Sequence, residues 1–177
     1  MDAAGVRALI RDIDDFPAPG VTYRDITPLL GHPVGLRRSL DLLGALAAPM
    51  DATTVVGIES RGFLFGVPIA DRLGVGFAPM RKPGKLPFDV VRQDYALEYG
   101  TDTLELHTDA VGAGDRVLIV DDVLATGGTA SAAITLVEST GATVAGCLFL
   151  VELTVLGGRS RLSRLGGCPV ASLLTYP

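Results

Sequence analysis

Two adjacent carboxylates, Asp121 and Asp122, follow an apolar run at residues 117–120 and precede a short loop with paired glycines. The apolar run predicts a buried strand, and helix-forming sequence follows the loop. Gly127 and Gly128 allow successive backbone N–H groups to converge on one anion, and the helix directs its positive dipole end to the same point. The carboxylates suit vicinal hydroxyls or a hydrated divalent cation. Together these features predict a site for a ribose 5-phosphate.

The same string excludes two other phosphate-binding loops. A Walker A loop requires Gly-Lys-Ser/Thr, and no lysine lies between residues 117 and 140. A Rossmann fingerprint requires three glycines in G-x-G-x-x-G spacing, which is absent here. A bare Gly-Gly turn would favour an ordinary strand-to-helix turn with two solvated aspartates. The complete string, however, resembles the phosphoribosyl-diphosphate (PRPP) motif of the type I phosphoribosyltransferases.

A second strand-end loop carries a cation instead of acids. Residues 53–58 predict a strand, the chain turns at Ser60 and Arg61, and a helix follows. Backbone N–H groups and a guanidinium together suit a diphosphate, because arginine binds oxyanions through two parallel hydrogen bonds. Alone, the segment fits a helix N-terminus with a solvent-facing arginine equally well. It resembles the pyrophosphate loop of purine phosphoribosyltransferases, and that resemblance implies a cis peptide bond between Glu59 and Ser60.

A basic turn lies at residues 79–87, where three prolines stiffen a loop that contains Arg81, Lys82 and Lys85. A cluster of charges is often only a solvated turn. In an otherwise acidic chain, clustered cations also suit the second side of a diphosphate. The segment resembles the stretch of adenine phosphoribosyltransferases whose basic residues reach the diphosphate, some of them across a dimer interface.

Residues 84–100 are polar and poor in apolar periodicity, which predicts a long loop. A loop of this length within a compact domain is typically an active-site lid or disordered. Its end, residues 95–100, resembles the lid of adenine phosphoribosyltransferases. The resemblance implies that Tyr95 and Tyr99 belong to the lid and that the catalytic Glu98 faces the imidazole nitrogen of a purine. On the residues alone, Glu98 fits an exposed carboxylate equally well.

The Pro-rich, aromatic segment at residues 16–30 is typical of an N-terminal arm that packs on the core. It also resembles the hood of adenine phosphoribosyltransferases, in which main-chain groups near the positions of Thr22 and Arg24 contact the adenine base. Thr22 and Tyr23 depart from the family, which commonly has apolar residues or Phe there. Because main-chain contacts leave little trace in side chains, base specificity follows from the resemblance and not from the residues.

The composition describes a folded acidic protein. With 177 residues, 48% of them hydrophobic, the chain can bury a core as one domain. Its net charge of −5 argues against nucleic acid or an anionic membrane surface as a partner. The start of the chain shows no signal-peptide pattern, and the apolar stretch at residues 144–151 is too short to cross a bilayer. Cys147 and Cys168 match no metal-ligand spacing and predict reduced packing residues in a cytoplasmic protein.

Apolar runs bounded by turn residues predict strands near 53–58, 75–80, 116–120, 143–151 and 170–174. Helical patterns lie between them at 33–48, 61–73 and 129–140. Pro68 is expected to start or kink the second of these helices rather than to lie in its middle. Residues 101–107 alternate between polar and apolar and predict one half-buried edge strand. Strands that alternate with helices predict an α/β fold whose parallel sheet is covered on both faces, with ligands outside the carboxyl ends of the strands.

The resemblance extends from about residue 11 to the end of the chain, in the family's order. It implies the type I phosphoribosyltransferase fold as a single domain over residues 1–177. This fold has a central, mainly parallel twisted sheet flanked by helices and a small N-terminal hood at about 1–34. The PRPP-binding core spans about 35–177, with a flexible lid loop near 84–101.

The implied reaction converts adenine and PRPP to AMP and diphosphate with Mg²⁺ in a homodimer. Asp121 and Asp122 hold the ribose hydroxyls; PRPP mainly carries the metal, and these two acids are the candidates for residues near it. Ser60, Arg61 and the basic turn bind the diphosphate, and Arg61 is the second catalytic residue because it stabilises this leaving group. The 5-phosphate lies on the loop formed by Ala125, Thr126, Gly127, Gly128 and Thr129. Two alternatives remain: a phosphoribosyltransferase that uses xanthine or hypoxanthine, and a non-catalytic PRPP-sensing regulator. Known regulators of that kind carry a DNA-binding domain, for which this chain has neither the extra length nor a basic face.

Overall fold

The structure, a computed structural model, describes residues 1–97 and 100–177. Its helices are α1 Ala3–Arg7, α2 Thr27–Leu30, α3 Pro33–Ala47, α4 Gly62–Leu73, α5 Gly128–Ser139 and α6 Gly158–Ser163. Its strands are β1 Arg11–Ile13, β2 Tyr23–Asp25, β3 Thr54–Ile58, β4 Gly76–Met80, β5 Val90–Leu97, β6 Gly100–His107, β7 Arg116–Leu124, β8 Thr143–Leu153 and β9 Val170–Tyr176. Short 3₁₀ turns follow α3 and β8, at Ala48–Met50 and Thr154–Leu156.

The chain forms two compact units, residues 1–42 and 43–177. The first contains α1, the antiparallel pair β1–β2, α2 and most of α3. The division falls within α3, whereas the sequence placed the end of the hood near residue 34. None of the helices in the two described ranges is long and apolar enough to cross a bilayer.

Opposite charges face each other across the β1–β2 pair. Arg11 forms an ion pair with Asp25 at 2.6 Å, and Arg24 forms one with Asp12 at 2.5 Å. Asp25 also accepts a hydrogen bond from the backbone N–H of Thr27 at 2.9 Å, which ties β2 to the start of α2. Hydrogen bonds from Thr27 and Arg11 lower the pKa of Asp25 to about 2.

The second unit is built on a five-stranded sheet with the order β4-β3-β7-β8-β9, and every pairing in it is parallel. The five strands predicted from apolar runs are therefore confirmed as one parallel sheet. Parallel sheets bury both faces, and four successive residues of β7 after Arg116 are at most 1% exposed: Val117, Leu118, Ile119 and Val120.

The central strand β7 runs four residues further than its apolar pattern, to Leu124. Asp121 and Asp122 therefore lie within β7, whereas the sequence predicted that they follow the end of the strand. The cause is pairing with β8, which continues in register through Asp121 with Phe149, Val123 with Val151 and Leu124 with Glu152. The ladder extends the strand past the point where hydrophobicity stops predicting it.

Helix α4 packs on β3 and β7 through one face that includes Phe65, Gly66 and Ile69, at the three- and four-residue spacing of a helix. Gly66 is required here because a Cβ atom would lie 2.7 Å from the ring of Phe77. Pro68 lies in the middle of α4, so the expectation that it would avoid this position is wrong. Packing of buried residues on both sides of Pro68 offsets the backbone hydrogen bond that the proline removes.

Strands β5 and β6 form a separate antiparallel pair. The prediction of a loop over residues 84–100 is therefore wrong for Val90–Leu97, which form strand β5. In β5 the partly buried Val91 and Gln93 and the buried Tyr95 alternate with exposed residues. The amide of Gln93 at an inward position hides this alternation from a count of apolar residues.

The strand predicted at residues 101–107 is confirmed; it pairs with β5 along its length, and its Glu105 forms an antiparallel bridge with Arg81, which directly follows the edge strand β4. Leu104 and Leu106 are fully buried and belong to the main core, which joins the pair to α5 and the sheet. Cys147 lies in the same core and Cys168 packs against it; both thiols are free, as packing residues are expected to be.

Candidate active site

A pocket of about 250 Å³ lies where β3 and β7 end and where α4 and α5 begin. It is lined by residues 58–61 and 121–130 together with Lys82 and Tyr95. Because neighbouring parallel strands end at the same edge of a sheet, two loops that are far apart in sequence meet here. The pocket thus joins the acidic motif to the loop that carries Arg61.

The loop at 125–129 forms the N-terminus of α5. Gly127 has a φ of 78°, a left-handed conformation that glycine adopts without strain, and it caps the helix. Its carbonyl oxygen accepts hydrogen bonds from the backbone N–H and the hydroxyl of Ser131, at 2.9 and 2.7 Å. Since Gly127 has no side chain to cap the first amides of α5, this helix terminus suits a bound anion.

The two acids of β7 have different partners. Oδ1 of Asp121 accepts a hydrogen bond from the backbone N–H of Asp122 at 2.9 Å. Oδ2 of Asp122 forms an ion pair with Nε of Arg61, also at 2.9 Å, and its side chain is nearly buried. Burial, with the neighbouring charge of Asp122 second, raises the pKa of Asp121 well above its usual range. Burial also raises the pKa of Asp122, opposed by Arg61. Cations or hydroxyl donors are the groups that these carboxyls would favour.

Gly62 allows α4 to begin directly against β7. A Cβ atom at this position would lie 2.9 Å from both Oδ1 of Asp121 and the carbonyl oxygen of Val120. No larger residue fits without a shift of the strand or of the helix. The close approach brings Arg61, the residue before Gly62, next to the acids.

The turn before α4 differs from the one that the resemblance implied. The described chain has a cis peptide bond between Phe16 and Pro17, whereas the bond between Glu59 and Ser60 is not cis. The turn is made instead by a φ of 95° at Ser60, in a region that non-glycine residues rarely occupy. A strained residue of this kind is typical of ligand-binding loops.

The basic turn is organised by a carboxylate. Oε1 of Glu59 accepts hydrogen bonds from Nε and Nη2 of Arg81 at 3.1 and 2.5 Å, and Oε2 accepts one from the backbone N–H of Lys82 at 2.7 Å. Nη1 of Arg81 donates to the carbonyl oxygen of Lys85 at 3.0 Å. Burial acts to raise the pKa of Glu59, but these hydrogen bonds outweigh it and lower the pKa. Arg81 therefore shapes the turn rather than the pocket wall.

Lys82 is the cation of this turn that reaches the pocket. Its ammonium group pairs with the carboxylate of Asp102 and donates to the hydroxyl of Tyr95 at 3.0 Å. The Tyr95 hydroxyl in turn donates to Asp102 at 3.1 Å. Burial acts to lower the pKa of Lys82, but Asp102 and Tyr95 outweigh it and raise the pKa. Lys82 is therefore held as a cation at the wall beside the β5–β6 pair.

Most residues predicted for PRPP line this one pocket: Ser60, Arg61, Lys82, Asp121, Asp122, Ala125, Thr126, Gly127, Gly128 and Thr129, with Tyr95 of the predicted lid. Arg81 and Lys85 are not among its lining residues. Thr22 and Arg24 belong to the first unit, where the Thr22 hydroxyl donates to Asp14 at 3.2 Å. Glu98 and Tyr99 lie outside the described residues, so their predicted roles stay predictions.

Three acids that support the site were missed in the sequence. Glu59 directly follows the end of β3, and that position was a usable signal because ligands lie outside the carboxyl ends of the strands. Asp102 and Glu105 have no local motif. Glu105 is 4% exposed and accepts a hydrogen bond from the backbone N–H of Gly84 at 3.0 Å, so it holds the basic turn together with Glu59. Only the pairing of β6 reveals this role.

Within residues 1–97 and 100–177, no group of three or more His, Cys, Asp or Glu residues could hold a metal ion by itself. The pocket offers two adjacent carboxylates, Asp121 and Asp122. Such a donor set fits a Mg²⁺ ion that keeps waters and takes its other ligands from substrate phosphates. A metal in this pocket would therefore arrive with a phosphorylated substrate.

Comparison with known proteins agrees with this geometry. Residues 38–162 match the family model of the phosphoribosyl transferase domain. The chain is 53% identical to an adenine phosphoribosyltransferase of Synechococcus, over 97% of the chain and 98% of the relative, and 56% identical to one of Methylococcus capsulatus with the same coverage.

Solved structures lead to the same family. The crystal structure of adenine phosphoribosyltransferase from Thermoanaerobacter pseudethanolicus superposes with a TM-score of 0.93 at 47% identity, covering 98% of this chain and 99% of that one. The enzyme of Saccharomyces cerevisiae, solved with an imino-altritol bisphosphate and adenine, gives a TM-score of 0.91 at 39% identity, covering 97% and 98%. The type I phosphoribosyltransferase fold is therefore confirmed, and the chain belongs to the adenine phosphoribosyltransferases of the phosphoribosyltransferase family.

Proposed function

We propose that the chain transfers the 5-phosphoribosyl group of PRPP to adenine and releases AMP and diphosphate, a purine salvage reaction. One observation carries the proposal: a single pocket joins the anion-binding loop at 125–129, the paired acids and Arg61. The near full-length identity to adenine phosphoribosyltransferases, 53% in Synechococcus, supports adenine as the base.

Each part of the pocket suits one part of PRPP. The 5-phosphate binds to the first-turn amides of α5 and to the hydroxyls of Thr126 and Thr129. The ribose 2- and 3-hydroxyls donate to Asp121 and Asp122. These contacts hold the sugar at both ends, so that its anomeric carbon lies between the phosphate loop and the loop that carries Arg61.

Bond cleavage moves negative charge onto the diphosphate while the anomeric carbon gains oxocarbenium character. Arg61 lies where this charge develops, and its guanidinium can bind two oxyanion oxygens at once. Lys82 adds a second cation at the pocket wall. Because both side chains are already held by carboxylates, Asp122 and Asp102, little reorganisation is needed when the charge appears.

The family resemblance also implies Mg²⁺, and the two carboxylates fit it as described above. When bound, the ion neutralises charge on the departing diphosphate. Asp121 and Asp122 are the residues that would hold it, directly or through its waters.

Glu98 completes the proposal as the residue that takes the imidazole proton of adenine when the base attacks the anomeric carbon. Main-chain groups near Thr22 and Arg24 recognise the base. The lid excludes water, which would otherwise capture the developing oxocarbenium ion. These three roles rest on the family resemblance.

We further propose that the protein works as a homodimer in the cytoplasm. The basic turn supports the dimer, because in the family some of its cations act across a subunit interface. Arg81 and Lys85, which are not among the lining residues of the pocket in one chain, are the candidates for that role. Sedimentation equilibrium measures the assembly, and a monomer at working concentration would contradict the proposal.

The decisive test offers the purified protein Mg-PRPP with adenine, guanine, hypoxanthine, xanthine, uracil or orotate and measures diphosphate release. We expect turnover with adenine alone. Turnover with hypoxanthine or xanthine instead would assign a different purine. Absence of turnover with every base, together with a shift of DNA in a gel, would favour a PRPP-sensing regulator.

A further inference from the structure

The loop at residues 125–129 packs against the main chain at Gly158. A Cβ atom on Gly127 would lie 3.0 Å from the carbonyl oxygen and 3.1 Å from the Cα atom of Gly158. A Cβ atom on Gly158 would overlap the carbonyl oxygen of Ala125 and lie 2.8 Å from Cδ1 of Leu124. Gly158 is buried at the start of α6. The loop that binds the phosphate is therefore supported directly by the main chain at the start of α6.

The next residue fixes that support to the sheet. The guanidinium of Arg159 donates to both carboxylate oxygens of Glu152, from Nε at 2.9 Å and from Nη2 at 2.5 Å. Its Nη1 donates to the carbonyl oxygen of Val170 at 2.7 Å. Ser172 donates its hydroxyl hydrogen to Glu152 at 2.7 Å. One side chain thus joins the start of α6 to β8 and to β9.

Burial of Glu152 strengthens the connection that Arg159 makes between α6 and the sheet. Glu152 is 3% exposed, so removal of Arg159 would leave a buried carboxylate without its cation. The hydrogen bonds from Arg159 lower the pKa of Glu152. At the other end of α6, Leu162 is fully buried in the main core. The helix is therefore held at both ends, and its first residues cannot move away from the phosphate loop without breaking one of these contacts.

We infer that Arg159 is a positioning residue for the 5-phosphate: through Gly158 it holds the loop at 125–129 in the shape that binds the anion. Arg159 is not among the residues that line the pocket. The inference rests on the proposed function, because it assumes that this loop binds a phosphorylated ribose. The loop has glycines at its centre and no side-chain cap, so it depends on packing from behind for its shape.

Calorimetric titration with ribose 5-phosphate tests the inference without catalysis. We expect Arg159→Met to weaken binding on the order of tenfold, since misplacement of a preorganised site by a fraction of an ångström has effects of this size or larger. Arg159→Lys keeps the charge but loses the paired hydrogen bonds, so its affinity for ribose 5-phosphate should lie between those of the wild type and Arg159→Met. Arg161→Met removes the same charge from an exposed position on the same helix and is the matched control.

A second variant acts without changing any charge. Gly158→Ala places a methyl group against the carbonyl oxygen of Ala125 and should also weaken ribose 5-phosphate binding, whereas Gly112→Ala, with nothing within 4 Å of its Cβ, should not. In steady-state assays, Arg159→Met should raise the KM for PRPP more than the KM for adenine, a split that a general loss of stability would not produce.

Ribose 5-phosphate affinity within about twofold of wild type in folded Arg159→Met would overturn the inference, because that difference is within about 0.4 kcal/mol. If Arg159→Met does not fold, unchanged affinity in Gly158→Ala overturns it instead. The proposed function has a separate test. If the wild-type protein binds ribose 5-phosphate but releases no diphosphate from PRPP with any base, the proposed reaction is excluded. The binding data then still decide the positioning role of Arg159.

Discussion

Nε of Arg61 lies 2.9 Å from Oδ2 of Asp122, and this ion pair links the loop after β3 to the end of β7. The Asp122 carboxyl is nearly buried, whereas about a third of the Arg61 side chain is exposed to the pocket. The acid therefore orients the guanidinium at the wall of the pocket. This single ion pair therefore organises both the loop that carries Arg61 and the acidic end of β7.

Replacement of Arg61 by Met should lower kcat/KM on the order of 10²–10³-fold, the cost of removing one preorganised donor to developing negative charge. Arg61→Lys should recover only part of this loss, because an ammonium cannot bind two oxygens in the geometry of a guanidinium. Steady-state diphosphate release measures both variants. The exposed Arg164 is the control, since Arg164→Met makes the same change away from the pocket. Wild-type kinetics in Arg61→Met would remove Arg61 from the mechanism.

Gly62 sets the distance between α4 and β7, so Gly62→Ala should destabilise the protein. The new methyl group would lie 2.9 Å from backbone and side-chain oxygens of β7, and forcing an extra carbon into a packed site costs about 1–3 kcal/mol. Urea unfolding measures the change in the free energy of unfolding. Gly76→Ala is the matched control, because nothing lies within 4 Å of its Cβ position. Equal stability of the two variants would mean that α4 can move outward without cost.

The parallel sheet and the pocket at the carboxyl ends of its strands could be predicted because local signals and long-range packing agree there. Val117 to Val120 are apolar since the strand is covered on both faces, and Gly127, with its left-handed φ, allows the turn that follows. The carboxyl-end rule then places this loop beside the one that carries Arg61. Each inference required only a strand, its direction and its end.

The rest depended on partners that are distant in sequence. Strand β5 exists because β6 pairs with it, and Gln93 at an inward position hides its pattern. Pro68 is tolerated in α4 because the sheet holds the helix on both sides of it. The pairing of Arg81 with Glu59 joins residues that no local motif connects. Tertiary contacts decided these features against local propensity.

Cys168 should be an unusually acidic thiol. Its sulfur lies 4.0 Å from that of Cys147, and the hydrogen bond from Cys147 lowers the pKa of Cys168 to about 7, although burial acts in the opposite direction. Because the pKa is lowered, the thiolate predominates above pH 7, and alkylation by iodoacetamide should reach half its maximal rate near that pH.

The partner thiol supplies the control. Cys147→Ala removes the hydrogen bond, so the midpoint of Cys168 alkylation should move upward toward the ordinary thiol value of 9.0. Mass spectrometry of the labelled peptide reports Cys168 alone, because Cys147 is fully buried. A wild-type midpoint that already equals that of Cys147→Ala would show that the two thiols do not interact in this way.

In the proposed reaction Glu98 accepts the imidazole proton, so we expect Glu98→Leu to lower kcat about 10²–10⁴-fold, the usual contribution of a general acid or base. Binding of PRPP should change little, because the substitution leaves the residues that line the pocket intact. Glu98→Gln separates proton transfer from hydrogen bonding: it keeps the shape and polarity of the side chain but cannot accept the imidazole proton, so it should be nearly as slow as Glu98→Leu. Kinetics with saturating adenine, together with PRPP titration, measure both quantities. Full turnover in the Gln variant would assign proton removal to another group and leave Glu98 a role in holding the base.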